Sequence, residues 1–319
     1  MKKLLLATIT LLSCSNAFSQ LVVNNTTLTP AQLVQNVLVG TGVTVSNVTF
    51  NGAPGNTVTV QAGQFNGSSS NIGLAGGIIL ASGNAQVAVG PNNNGGASQG
   101  PPQGIMATDP DLAAITPNQI YDQAVLEFDF VPIGDSISFR YVFASEEYNE
   151  YVCASVNDAF GFFISGPGIT GPYTNNAKNI ATIPGTNTPV SINTVNLGVA
   201  GAAGSPGNCN SIDPAWASYN VFYAGTNTQN SVQYDGWTVV LTAKTAVQCG
   251  QTYHIKLAIA DAGDGVWDSG VFLEGGSLTS IGVDVTVATI TGNNTIIEGC
   301  SDATFVFSRP SDSTDLTIA

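Results

Sequence analysis

Between Asp261 and Ser269 the chain packs three carboxylates, Asp261, Asp264 and Asp268, and two glycines into nine residues. Like charges at such spacing repel unless water or a cation screens them. Calcium takes about six to eight oxygen ligands from flexible loops, backbone carbonyls among them. Gly263 and Gly265 would let carbonyls turn inward. The spacing is not that of an EF-hand, so the segment reads either as a calcium loop or as an acidic hairpin loop in plain solvent. Asn157-Asp158 and Glu146-Glu147 could supply further ligands, and Asp109, Asp111 and Asp122 are weaker candidates.

No comparable case exists for catalysis. His254 is the one histidine, in the strand-like run Thr252 to Leu257, on the same face as Lys256 and opposite Ile255 and Leu257. It reads as an exposed strand residue. Gly96-Ala97-Ser98-Gln99-Gly100 matches the G-x-S-x-G pattern of a nucleophile elbow, but that motif needs a strand before it and a helix after it. Here it lies in an Asn/Gly stretch and reads as chance. Glu146-Glu147 suggests paired glycosidase carboxylates, yet neighbours on a strand point to opposite faces and cannot meet one substrate. The aromatics Tyr148, Tyr151, Tyr173, Trp216, Tyr219, Tyr223, Trp237 and Trp267 are many for a polar chain. Core packing accounts for most; Trp267, inside the acidic loop, is the candidate for ligand contact.

The whole-chain balance narrows the partners. With 21 acidic and 7 basic residues the net charge is −14, a field that repels nucleic acid and anionic lipid. Only 9% of residues are charged while 43% are hydrophobic and 36 are glycine, which suits β-structure joined by tight turns rather than disorder. Met1-Lys2-Lys3 followed by the apolar run Leu4 to Leu12 and the small-residue exit Ala17-Phe18-Ser19 reads as a signal peptide over 1–19. A rival reading lipidates Cys14 in Leu11-Leu12-Ser13-Cys14. No other apolar run reaches the ~20 residues a spanning helix needs. The mature chain is thus expected to be exported and without a transmembrane segment. Cys153, Cys209, Cys249 and Cys300 can pair in three ways, and the sequence does not choose among them.

These residues must be held by strands. One helix is expected first, with Thr29 as N-cap, Pro30 at its first position, Gln32 closing a capping box, and Gly40 where a C-terminal cap belongs. Strands are then expected at Val43–Val48, Thr57–Gln61 and Gly77–Ala81. Residues 90–104 hold almost nothing to bury and read as a mobile loop; Asp109 to Leu112 starts a short helical turn. Ala124–Phe130 alternates, with Leu126, Phe128 and Phe130 on one face; Ser136–Ser145 places Ile137, Phe139, Tyr141 and Phe143 together. Phe160–Ser165, Val190–Val195, Gly236–Ala243, Thr252–Ala260 and Gly270–Ser277 complete the set. Strands at this spacing with no helices between them predict an all-β, jelly-roll-like two-sheet β-sandwich over 20–282. The composition breaks near Gly282. Val283–Ile290, Thr295–Cys300 and Ala303–Phe307 read as the beginning of a second β-sandwich domain over 283–319, cut short.

Phe143-Ala144-Ser145-Glu146-Glu147-Tyr148-Asn149-Glu150-Tyr151 and Asn157-Asp158-Ala159-Phe160-Gly161-Phe162-Phe163-Ile164-Ser165-Gly166-Pro167-Gly168 are distinctive. So are Asn179-Ile180-Ala181, Val190 to Asn196, Tyr234-Asp235-Gly236-Trp237-Thr238 and Tyr253 to Glu274. In this order they resemble the choice-of-anchor L domain of exported bacterial proteins, especially those of gliding Bacteroidetes, from about Thr29 to Ser280. The segment after Val283 resembles the start of a Calx-beta-like domain. The resemblance implies a surface or secreted protein, with relatives that carry further β-domains and a signal for type IX secretion. It implies no activity and transfers no site residues. Within its core lie Cys153 and Cys209, which favours that pair for a disulfide. The expectation is a non-catalytic secreted or cell-surface structural or adhesion module, calcium-stabilised, on the outer face of a Gram-negative bacterium. Its partners would be extracellular proteins or glycans, and the rival is a carbohydrate-binding module.

Overall fold

The computed structural model describes residues 20–100, 108–226 and 231–280, and the backbone of 284–289 and 303–308. The leader, Cys14, part of the 90–104 loop and the Thr295–Cys300 run lie outside the described residues. In chain order the strands are β1 (Val22–Asn24), β2 (Val43–Phe50), β3 (Ala53–Pro54), β4 (Ala62–Asn66), β5 (Gly76–Ala81), β6 (Ile120–Pro132) and β7 (Ser136–Ser145). Then follow β8 (Ala159–Ser165), β9 (Lys178–Asn179), β10 (Tyr223–Thr226), β11 (Gly236–Thr238), β12 (Leu241–Ala246), β13 (Tyr253–Ala262) and β14 (Ser269–Glu274). They form two antiparallel sheets. One runs β1-β4-β5-β14-β7-β11-β10, with β12 also on β7; the other runs β3-β2-β6-β13-β8-β9. The chain is an all-β sandwich, as expected. Among the described residues, Asp284–Thr289 and Ala303–Ser308 pair with each other in a two-stranded sheet.

The alternation in β6 and β7 becomes the contact between the sheets. Leu126, Phe128 and Phe130 face Ile137, Phe139, Tyr141 and Phe143 across a core completed by Phe160, Phe162, Ile255, Leu257 and Leu273. Phe162 lies edge-on to Phe139 and Tyr141, with centroids 4.9 and 5.0 Å apart, and Phe160 stacks on Phe143 at 5.0 Å. Both outer faces are partly covered too. Phe272, Val142 and Trp237 pack under Leu21, Ile72 and Leu74. Phe163 and Ala258 pack under the short helix α1 (Pro110–Ile115), capped by Asp109. Burial on both faces is why the central strands read as nearly continuous apolar runs.

Several expectations are corrected. The Thr29 capping box forms, but one α-turn at Pro30–Leu33 passes into a π-turn at Val34–Leu38. Gly40 is not a left-handed cap: it extends the chain, donating to the Leu278 carbonyl at 2.9 Å, and the positive φ falls at Gly42. No strand forms at Thr57–Gln61, where the chain turns before β4. Val190–Val195 is a turn, because Ser191 and Thr194 satisfy the backbone locally: Ser191 N donates to Thr194 Oγ1 at 2.9 Å and Val195 N to the Ser191 carbonyl at 2.9 Å. Its apolar side chains are buried without a ladder.

Cys153 and Cys209 form a disulfide with Cα atoms 5.0 Å apart. It ties the β7–β8 connection to residues 206–212, and Asn193 Oδ1 accepts from Cys153 N beside it. Cys249 is free and exposed.

Two stability measurements check this packing. Phe162→Ala should cost about 3–5 kcal/mol in urea unfolding, because three neighbouring rings border the cavity left behind. Cys153→Ser/Cys209→Ser, opening a link across 56 residues, should lower the unfolding free energy by up to about 4 kcal/mol on the chain-entropy model.

Candidate functional site

The antiparallel register gathers acidic residues at one end of the sandwich. β7 ends at Ser145, paired with Ser269 where β14 begins; β13 ends beside the start of β8, with Ala260 opposite Ala159. The residues just beyond or at these strand ends are Glu146, Glu147, Asp158, Asp261 and Asp268. All five are essentially removed from solvent, with Glu146, Asp261 and Asp268 at 0% exposure.

Asp158 and Asp268 are the best supported. Asp158 accepts from Ser269 Oγ at 2.5 Å and Ala262 N at 3.1 Å. Asp268 accepts from Ser98 Oγ at 2.9 Å and Gln99 N at 3.0 Å. Glu147 receives only a long 3.5 Å approach from Asp158 N. Neither carboxylate oxygen of Glu146 or of Asp261 has a hydrogen bond of ordinary geometry. Burying a carboxylate without partners is costly, so such a group either takes a proton or takes a cation.

The proton affinities follow. Burial, then the Asp235 charge, pushes Glu146 up to about 9; the Ala97 backbone and Gln233 side chain offset only part of this. Burial pushes Asp158 up to about 8 against its hydrogen bonds from Ser269 and Ala262. Glu147 lies well above the usual carboxylate range through burial and the Asp158 charge, and Asp261 likewise through burial and the charges of Asp158 and Asp268. Burial raises Asp268 as well.

The segment from Asp261 to Asp268 is not one exposed loop. Asp261 is the penultimate residue of β13 and Asp268 immediately precedes β14, both inward, while Asp264 alone is exposed. Asn157 is half-buried and its Oδ1 accepts from Asn193 N at 3.0 Å. Glu146 and Glu147 lie in the turn after β7, both buried, rather than on alternate faces of a strand. Asp122 is half-buried and its charge reaches Asp261 and Asp268. Asp109 and Asp111 stand apart, both accepting from Lys256 Nζ, at 2.6 and 2.9 Å. Among the described residues no group of three or more His, Cys, Asp or Glu side chains is placed so that it could hold a metal ion.

The sequence reading missed the cover of this cluster. Residues 92–99, within the stretch expected to be a mobile loop, lie against it through Ser98 and Gln99, and Ala97 is buried. Asn92 Nδ2 donates to Asp235, and Gln233 Nε2 to the Asn94 carbonyl at 2.7 Å. Trp267, half-buried at φ 69°, lies edge-on to Tyr151 at 4.6 Å. A Cβ at Gly96 would come within 2.8 Å of its ring. Glycine there lets the loop close over the indole. Tyr148, Trp216, Tyr223 and Trp237 are core residues.

The choice-of-anchor L domain model matches residues 22–279, which includes every strand end that contributes to the cluster. The chain belongs to the choice-of-anchor L family. No curated protein and no solved structure matches it. The family is one of surface-associated modules. No helix among the described residues is long and apolar enough to cross a membrane.

Within this choice-of-anchor L domain the former catalytic candidates have other duties. Ser98 lies in irregular backbone with no strand leading into it, and its hydroxyl donates to Asp268. His254, half-buried rather than fully exposed, bridges Asp129 at 2.8 Å and Glu127 at 3.1 Å on the outer face of β6 and β13. The Glu127 hydrogen bond, against some desolvation, raises the imidazole above its ordinary 6.5. The same bridge lowers Glu127; for Asp129, burial is outweighed by the bonds from Asn47 and His254. The bridge therefore stabilises the fold fully below the unfolded histidine value, once the two carboxylates are ionised. That contribution is lost as pH rises through the higher folded value. NMR of the single histidine should give a midpoint above 6.5, falling toward 6.5 in Glu127→Gln/Asp129→Asn.

Proposed function

We propose that this chain is a non-catalytic structural or adhesion module of an exported protein, in which calcium closes the acidic end of the sandwich. The observation that carries this reading is the pair Glu146 and Asp261. Both are fully buried, both lack hydrogen-bond donors of ordinary geometry, and both sit among three further buried carboxylates. The donor set is all oxygen, which suits calcium rather than zinc. No ion pair to any of the five carboxylates is seen among the described residues: Lys256 pairs with Asp109 and Asp111, and Arg140 with Glu274. Glu146, Asp261 and Asp268, together with Glu147 and Asp158, are the carboxylates that would supply oxygens to the ion. Asn157, a neutral amide, and the exposed Asp264 lie at the margin; Asp264 adds charge rather than an essential ligand.

Residues 1–19 serve as the export signal, and the mature module acts on the outer face of a Gram-negative cell of the gliding Bacteroidetes type, delivered by type IX secretion. The second β-unit, 283–319, begins a Calx-beta-like domain. The partner is an extracellular protein or glycan. An ion that fixes four strand ends makes such a module stiff only outside the cell, where calcium is abundant.

Thermal unfolding of the chain in EDTA and in millimolar calcium tests this. Selective binding to the native state at a hundredfold excess over Kd adds about 2.7 kcal/mol, a clear rise in Tm. Glu146→Gln/Asp261→Asn should abolish the rise while remaining folded in EDTA, since neutral amides of the same shape replace two buried carboxyl groups. Asp264→Asn should keep most of it. An unchanged Tm on adding calcium to the wild-type chain overturns the reading.

A further inference from the structure

Away from the acidic end, a cavity of about 510 Å³ opens at the side of the sandwich where two edge strands meet, β9 of one sheet and β12 of the other. Its lining contains Lys178 and Lys244 and no Asp or Glu. In a chain with 21 acidic residues and a net charge of −14 this is a local reversal of sign. Four lysine and arginine side chains lie in the described residues. Arg140 is paired with Glu274, and Lys256 with Asp109 and Asp111. The two ammonium groups without a carboxylate partner are the two that line this cavity.

The remaining lining is built for a hydroxylated ligand. Asn179 Oδ1 is taken by Phe162 N at 3.0 Å and Ala181 N at 2.9 Å, which fixes the amide. Its Nδ2 is left without an acceptor. Thr170, Thr182 and Asn187 add further hydroxyl and amide groups, and the Tyr173 ring, held edge-on by Phe163 at 4.8 Å, supplies an aromatic wall. The volume lies within the ~300–1,000 Å³ of small-molecule sites. Donors, hydroxyls, a ring and two cations, with no carboxylate to compete, describe a site for a sugar that carries a negative charge.

We propose that this cavity binds an anionic saccharide unit, its carboxylate or sulfate held between Lys178 and Lys244 and its hydroxyls by Asn179 and the threonines. The site is independent of the carboxylate cluster: it uses other strands, and its variants leave Glu146 and Asp261 untouched.

Calorimetric titration of the whole chain, at one fixed calcium concentration, with a hyaluronan hexasaccharide, a κ-carrageenan hexasaccharide and cellohexaose tests it. The first carries carboxylates, the second sulfates, the third no charge. Binding of either acidic probe but not of cellohexaose is expected, and which one binds identifies the anion. Lys178→Gln and Lys244→Gln should each weaken that binding about tenfold, as loss of a charge-assisted hydrogen bond does. Affinity should fall with added salt, and less steeply in each variant. Tm should be unchanged, because neither lysine has a partner to lose. Failure of both acidic probes to bind the folded chain overturns the proposal. So does equal binding of cellohexaose, or unaltered affinity in Lys178→Gln/Lys244→Gln.

Discussion

Five carboxylates drawn out of water at one end of a β-sandwich set the terms for the rest of the molecule. The sandwich cannot avoid gathering them. Glu146 and Glu147 follow β7, Asp158 precedes β8, Asp261 is next to last in β13 and Asp268 precedes β14, and the antiparallel ladders align those ends. Two have donors, Asp158 from Ser269 and Ala262, Asp268 from Ser98 and Gln99. Glu146 and Asp261 have none of ordinary geometry. A fold that buries an uncompensated charge surrenders several kcal/mol. The proposed calcium offsets this cost and, in doing so, couples both sheets through their ends.

Much of the surrounding structure secures that end. The β7–β8 connection, which carries three of the five acids, is tied down by the Cys153–Cys209 disulfide and by Asn193, whose side chain bonds Cys153 N and whose backbone bonds Asn157. Residues 92–99 cover it, with Trp267 wedged between Gly96 and Tyr151. The opposite side is quieter. His254 and Lys256 satisfy their neighbours on the outer face, and the charge reversal at Lys178 and Lys244 is confined to the edge-strand cavity.

The strands that build the core were legible because alternation is a direct signature of a face. Ile137, Phe139, Tyr141 and Phe143 on β7, and Leu126, Phe128 and Phe130 on β6, sit where a period of two puts them. Val190–Val195 misled because Ser191 and Thr194 complete their own turn, so buried apolar residues there need no ladder. The acids were visible as residue types but not as an arrangement. Asp261 and Asp264 lie three apart in sequence, yet one is enclosed at the end of β13 and the other is in solvent. Ser98 and Gln99 were hidden for a different reason. A run of Gly, Asn and Ser carries little apolar surface, so nothing in it announces that it folds back on a polar cluster rather than out into water. Asn179 and the unpaired lysines belong to the same class: a cavity between two edge strands exists only once both sheets are in place.

The central claim is that a cation, not a set of protons, neutralises the buried end at neutral pH. Equilibrium dialysis of the folded chain against millimolar calcium tests it most directly. The account predicts one calcium retained per wild-type chain and none per Glu146→Gln/Asp261→Asn chain. A folded wild-type chain that retains no calcium, or a double variant that retains as much as the wild type, would contradict it.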